Sequence, residues 1–211
     1  MSEITWQDSI ESFVSKASSS SPTPGGGSVA ALVAVLGTAM TSMVGNLSQG
    51  EKFAVIEPQI SAVMYTMNRL NEECRELFDG DIASFNNYMS ALKLPKETEA
   101  EKLARKQAIY EAAINAIEVP VQLMEVCRTG IECAYSIAES SNKNVISDLG
   151  ISAILFEAAA QSALLTVEIN LASLKDLELK QQYADKVSTL MQQISDLKNK
   201  ASRIIQDRIE G

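Results

Sequence analysis

The chain has 211 residues, 46% hydrophobic and 21% charged, which is enough for one sizeable core, and a single domain over residues 1–211 is expected. Eighteen basic against 27 acidic residues give a net charge of −9, which opposes duplex nucleic acid and anionic lipid, so neither a nucleic-acid nor a membrane partner is expected. Histidine is absent, which excludes imidazole zinc sites and histidine-dependent catalytic triads and leaves proton transfer near neutral pH to Asp, Glu, Lys, Tyr, Cys or water.

In chain order, Thr5 and Asp8 resemble a capping box ahead of Ile10, Phe13, Val14 and Ala17 at helical spacing, a first helix ended by a serine run and Pro22. The uncharged run from Ser28 to Leu47 reads as a second helix. Pro58 suits the first turn of a third, whose stripe Ile60, Val63, Met64, Met67, Leu70, Cys74 and Leu77 should end at Asp79 and Gly80. A shorter helix from about Asp81 to Leu92 carries Ile82, Phe85, Tyr88 and Met89. Another runs from Glu97 through Ile117 with Leu103, Ile109 and Ala113 inward, and Pro120 marks a boundary or kink before Leu123, Val126, Cys127 and Ile131. Its successor runs from Ser147 and Asp148 to about Lys175. The last helix repeats Tyr183, Val187, Leu190, Ile194, Leu197, Ala201 and Ile204 at alternating spacings of four and three, a row suited to packing antiparallel or across a partner. No segment alternates like a strand, so the fold class is all-α: a multi-helix bundle with a buried central helix.

Cys74, Cys127 and Cys133 are odd in number and form no C-x-x-C pair, which points to reduced thiols in a cytoplasmic protein rather than to disulfides or a metal site. MSEITWQDSIESF lacks a basic region followed by an apolar block, so no signal peptide is expected.

The run from Ser28 to Leu47 is long enough to span a bilayer, but it contains Ser28, Thr38, Thr41, Ser42 and Asn46 and has no flanking basic cluster. Ala30, Ala34, Gly37, Thr41 and Gly45 give it a face of small residues that lets other backbones come close, as in a central helix surrounded by protein. Gly25, Gly26 and Gly27 precede it. They can take positive φ and expose amides, and the helix from Ser28 adds unpaired N–H groups and a positive dipole end that favour an anion. The glycines equally allow tight packing of the loop, and the pattern does not choose between the two roles.

On the helix from Asp148, the residues Asp148, Ser152, Thr166 and Asn170 share one polar stripe. Asp148 and Asn170 are about 33 Å apart along the axis, so they serve different parts of a long ligand, different sites across subunits, or only architecture. In the last case Asp148 is a first-turn carboxylate and Asn170 a partner for a neighbouring backbone. Glu157 and Glu168 read as solvated or ion-paired, and Lys93, Lys96, Lys102, Arg105 and Lys106 as a surface face alternating with Glu97, Glu99 and Glu101.

The blocks PTPGGGSVAAL, NLSQGEKF, DIASF, LPK, NKNVISDLG and VEINL, in that order between residue 22 and about 176, resemble the formiminotetrahydrofolate cyclodeaminase and methenyltetrahydrofolate cyclohydrolase family. The resemblance implies a homodimeric all-helical enzyme of folate one-carbon metabolism. It would act on a tetrahydrofolate derivative as substrate, with no permanently bound cofactor and no metal. The Pro-Gly-Gly-Gly-Ser run of the family falls on Pro24 to Ser28, its Asp and Phe on Asp81 and Phe85, and its Asn, Ser-Asp block on Asn144, Ser147 and Asp148. Where the family commonly has a run of lysines after NLSQG, only Lys52 stands beside Glu51. On that basis Asp81 and Asp148 are expected to share acid and base roles. The substrate-binding set is Gly25, Gly26, Gly27, Ser28, Lys52, Asn144 and Ser147, with Asn144 orienting the pterin and the glycine turn receiving an anionic or carbonyl part of the ligand. Cyclodeaminase activity, as in histidine degradation, is the leading expectation and cyclohydrolase the alternative. A helical dimer with an interaction role only is a third, supported by the row after Tyr183.

Overall fold

The structure, a computed structural model, describes residues 4–211, so the first three residues of the segment read for a signal peptide lie outside it. Six α-helices make up the described chain: α1 (Ile10–Ala17), α2 (Gly26–Asn46), α3 (Glu57–Leu92), α4 (Glu99–Ile137), α5 (Ile146–Ser173) and α6 (Leu177–Glu210). Single 3₁₀ turns at Glu51–Phe53 and Lys143–Val145 precede α3 and α5, and no strand occurs among the described residues. The all-α expectation holds.

Helices α2, α3, α4 and α5 pack in a closed ring, each against the next and α5 back against α2, while α6 lies in the outer groove between α4 and α5. The expected helix end at Gly80 is absent, and at Pro120, expected as a boundary or kink, no boundary occurs. The stripe of α3 runs through Asp79 and Gly80 to Leu92, because a glycine costs a helix only about 1 kcal/mol and Leu77, Phe78 and Ile82 bury on the same face. Helix α4 likewise runs through Pro120, which is buried inside it. Proline lacks the N–H that would bond the carbonyl four residues earlier. That carbonyl, Ala116 O, instead accepts from Asn170 Nδ2 of α5 at 2.7 Å.

Helix α2 is central because its small residues let three neighbours approach. The Phe156 ring of α5 lies between Gly37 of α2 and Gly130 of α4, where an added Cβ would meet ring carbons at 3.2 and 2.3 Å. The polar groups of this buried surface are satisfied internally. Ser152 donates to Gly37 O at 2.8 Å and lies 2.6 Å from Thr41 Oγ1; Asn71 donates to Thr38 Oγ1 at 3.1 Å. Ser152 of α5 meets Gly37 and Thr41 of α2, and Asn142, ten residues before Ser152, bonds Leu47 and Ser48 beyond them, so the two helices run antiparallel.

Burial also corrects several side chains. Ile10, Val14 and Leu103 face outward, whereas Phe13 and Trp6 pack on Phe78 at ring separations of 5.6 and 5.5 Å. Thr5 donates its amide and hydroxyl to Asp8, closing a turn before the helix, and Ser9 caps α1 instead. The heptad row of α6 is consumed inside the chain against α4 and α5. Cys74 and Cys127 are buried and Cys133 is half-buried.

Helix α2 is not enclosed on all sides. Val29, Leu36, Met43 and Leu47 are exposed along one edge, and Ile151, Ile154, Leu165 and Ile169 continue the apolar surface on α5. Both α2 and the segment Lys143–Ser173 are long and apolar enough to cross a membrane by length and composition, and more than half of the most apolar window of α2 is buried within the protein.

Candidate functional site

The glycine run, Asp81 and Asn170 converge. Pro22, a cis Thr23–Pro24 peptide and extended backbone at Gly25 lead into the first turn of α2. Gly25, Gly26 and Gly27 do not use positive φ; among the described residues only Gly50 has it, at 91°. Their small size matters instead. A Cβ on Gly27 would stand 2.1 Å from Asp81 Oδ1, so only glycine admits this carboxylate, whereas a Cβ on Gly26 would meet nothing within 4 Å.

Asp81 reaches α2 from the middle of α3. Its Oδ2 accepts from both the backbone N–H and the hydroxyl of Ser28, each at 2.8 Å. Gly25 offers no side-chain cap, so Asp81 supplies from another helix the negative charge and acceptor that the helix start favours. The amides of Gly26 and Gly27 belong to the same first turn, which has no intrahelical acceptors for them.

A cavity of about 380 Å³ opens beside this carboxylate, lined by Gly25 to Gly27, Asp81, Phe85, Tyr88, Thr166 and Asn170. Its volume suits a small-molecule ligand, and it combines aromatic walls with a few convergent polar groups. Ile169, 71% exposed, lines it as well, so the cavity adjoins the uncovered apolar surface of α2 and α5. Chemically, it offers a held carboxylate as proton acceptor, Tyr88 and Thr166 hydroxyls, and helix amides for a carbonyl or carboxylate.

Asp148, Asn144, Ser147 and Lys52 lie elsewhere in the chain. Asp148 is half-buried in the first turn of α5, with no hydrogen-bond or ion-pair partner among the described residues. Asn144 and Ser147 are exposed beside it. Asn142 ties this end to the end of α2, its amide N–H bonding Ser48 Oγ and its side chain bonding Leu47 O, both at 2.8 Å. Lys52 follows in the next turn, exposed, its ammonium 5.6 Å from the Phe53 ring centre. Because α2 and α5 are antiparallel, this group sits about 30 Å from the cavity in one chain. No group of three or more Cys, Asp or Glu converges as a metal site among the described residues.

Sequence reasoning missed Tyr88 and Ser84 as lining residues and placed Thr166 only on a stripe, while its reading of Asn170 as a partner for a neighbouring backbone agrees with the bond to Ala116 O. Pro120 was the signal available for Asn170, since a helix-interior proline frees a carbonyl that a neighbouring amide can take.

Fold and site together define a helical-bundle protein with a carboxylate-bearing pocket at a helix start. The sequence model of the formiminotransferase-cyclodeaminase family matches residues 9–189, and the chain belongs to that family. It is 33% identical over 203 residues to a methenyltetrahydrofolate cyclohydrolase of Methylorubrum extorquens, covering 96% of this chain and 98% of that one. It is 32% identical over 186 residues to formimidoyltransferase-cyclodeaminase of Rattus norvegicus, covering 88% of this chain but 34% of that protein. The crystal structure of formiminotetrahydrofolate cyclodeaminase from Thermotoga maritima superposes with a TM-score of 0.87 at 23% identity, covering 96% of this chain and 98% of that one, a likeness of fold.

Proposed function

We propose that this chain is a folate one-carbon enzyme, a formiminotetrahydrofolate cyclodeaminase that releases ammonia to give 5,10-methenyltetrahydrofolate. The observation that carries it is the Asp81 carboxylate, held by Ser28 over Gly27 at the wall of a cavity of ligand size, in a chain of this family. In the reaction the secondary amine at folate position ten attacks the formimino carbon on position five, and ammonia leaves the resulting tetrahedral carbon. Asp81 takes the proton of the attacking amine, and a second group must protonate the departing one. The Tyr88 and Phe85 side chains hold the pterin, and the two nitrogens are kept close by the cavity walls. No metal and no permanently bound cofactor takes part, and the cytoplasm is the compartment proposed.

The second group comes from a second copy in this proposal. Val29, Leu36, Met43 and Leu47 are exposed on the open edge of α2 and half-buried Val33 and Met40 stand between them, the six repeating at alternating spacings of four and three, the spacing of a helix–helix seam. A two-fold axis through the middle of this seam, perpendicular to α2, sets the end of one α2 against the start of the other. It thereby carries Asp148 of the partner subunit, with its neighbouring Lys52 and Asn144, to the level of Gly27 and Asp81. The homodimer covers the apolar surface and completes the site, which favours a second copy over lipid or an interaction-only role.

Cyclohydrolase activity is the second reading, favoured by the end-to-end alignment with the Methylorubrum protein. There water attacks the same carbon in the methenyl form, and the carboxylates orient it and stabilise the positive charge. Supplying 5-formiminotetrahydrofolate and 5,10-methenyltetrahydrofolate separately, and following methenyl absorbance and ammonia, tests both. Absorbance rising with ammonia supports the deaminase, absorbance falling from the methenyl compound supports the hydrolase, and no change with either refutes a folate enzyme.

A further inference from the structure

Arg208 stands half-buried in the last turn of α6 and makes no ion pair among the described residues. Its guanidinium goes instead to two backbone carbonyls: Nη1 donates to Ala138 O and Nη2 to Ser141 O, each at 2.6 Å. Both acceptors belong to buried residues of the connection between α4 and α5. They need a donor from outside the connection. Ala138 follows the last residue of α4, and the N–H that would continue the helix onto its carbonyl, that of Asn142, is taken by Ser48 Oγ at 2.8 Å. The corresponding N–H for Ser141, that of Val145, goes to Asn142 O at 3.2 Å. A cation at this place also faces the negative ends of two helices, α4 and α6 itself.

The planar fork of one guanidinium can bridge two carbonyls, whereas an ammonium is a point donor that reproduces the charge without the bridge. One turn earlier on α6, buried Ile205 packs on the same segment, since a Cβ on Gly150 would meet Ile205 Cγ2 at 3.3 Å. Helix α6 thus braces residues 138–150 at both ends. The end of α2 braces the middle, through Ser48 Oγ and through Leu47 O, which accepts from the Asn142 side chain at 2.8 Å. Between these braces stand exposed Asn144 and Ser147 and half-buried Asp148, whose carboxylate has no hydrogen-bond or ion-pair partner of its own among the described residues. The place of that carboxylate is therefore set by its backbone, and the backbone is held by Arg208, Ile205 and Asn142.

We infer that Arg208 is a positioning residue for Asp148: by bridging Ala138 O and Ser141 O it holds the start of α5 so that the carboxylate reaches the cavity of the partner subunit. The inference rests on the folate reading and the two-subunit site proposed above. The test measures kcat and KM of Arg208→Ala and Arg208→Lys with the two folates, per folded protein and below the melting temperature of each variant. Misplacing a reacting group by about an ångström costs up to about 100-fold in rate, so kcat should fall about 10- to 100-fold in Arg208→Ala and nearly as far in Arg208→Lys, with KM within about twofold of wild type. Arg203→Ala, at an exposed position of α6, removes the same charge and should keep the wild-type kcat. A second arm uses mixed dimers of one Asp81→Asn and one Asp148→Asn subunit, in which the working site joins Asp148 of the first to Asp81 of the second. Arg208→Ala on the Asp81→Asn chain should lower the recovered activity as it lowers that of wild type, and on the Asp148→Asn chain, which has no carboxylate at 148 to position, it should leave that activity unchanged. A general weakening of the fold would move both placements alike. Equal losses from the two placements, wild-type kcat in both Arg208 variants, a rise in KM at unchanged kcat, or the same loss in Arg203→Ala overturns the positioning role while leaving the folate reading intact. Mixed dimers that form without recovered activity overturn the two-subunit site and this role with it, and a wild type inactive on both folates overturns the folate reading as well.

Discussion

Ser28 gives both its backbone N–H and its hydroxyl to one oxygen of Asp81, each at 2.8 Å, across 53 residues of sequence. An amide at position 81 can still accept from Ser28 but cannot accept a proton from an attacking amine. Asp81→Asn should therefore lower turnover by about 100- to 10,000-fold with a small change in melting temperature. Gly27→Ala, whose Cβ would overlap Oδ1, should displace the same carboxylate and reduce turnover without adding fully to Asp81→Asn in the double variant. Full activity in Asp81→Asn would leave the carboxylate as a cap for α2 alone.

Asp148 tests the two-subunit arrangement. Asp148→Asn should slow turnover on the same scale as Asp81→Asn while preserving the first turn of α5, since Asn is tolerated at helix starts. When the two inactive variants are co-expressed, half of the dimers are mixed and each mixed dimer keeps one intact site, so about a quarter of wild-type activity should return. No recovery, with mixed dimers shown to form, would place both carboxylates in separate roles within one chain.

Asn170 and Pro120 are linked through the Ala116 carbonyl. Removing the amide donor leaves a polar group between packed helices without its partner, at a cost of about 1 to 3 kcal/mol. Asn170→Asp should be the more damaging change, because a carboxylate would face the carbonyl oxygen. Restoring the helical donor with Pro120→Ala should reduce the stability loss in the double variant. Equal losses from Asn170→Asp with and without Pro120→Ala, read in urea denaturation, would contradict the compensation.

Alkaline stability should report the buried thiols. Burial, with a smaller contribution from Glu73, pushes Cys74 up to about 12, and burial with Cys74 nearby pushes Cys127 well above its ordinary value. A group whose folded pKa is raised keeps more protons folded than unfolded. Its stability is therefore complete below the ordinary thiol value of 9.0 and is lost as pH rises toward about 12. The melting temperature of wild type should fall more steeply across that window than that of Cys74→Ala, Cys127→Ala, and parallel slopes would rule the thiols out as the cause.

Helix type and core faces were legible in the residues themselves, since the stripes Ile60 to Leu77 and Val187 to Ile204 encode in near neighbours which side of each helix is apolar. The small residues of α2 announced close packing, and the glycines before it announced a special helix start. Tertiary structure decided what local signals could not. Gly80 read as a break and Pro120 as a boundary or kink, but burial of the flanking helix outweighs the glycine, and an asparagine 50 residues after the proline takes the carbonyl it frees. Gly27 suggested backbone freedom, whereas its use is to make room for a carboxylate from the middle of another helix. The separation of Asp81 from Asp148 follows from the length of α2 and its antiparallel run against α5, because packing direction is set by long-range burial that no stretch of neighbouring residues carries.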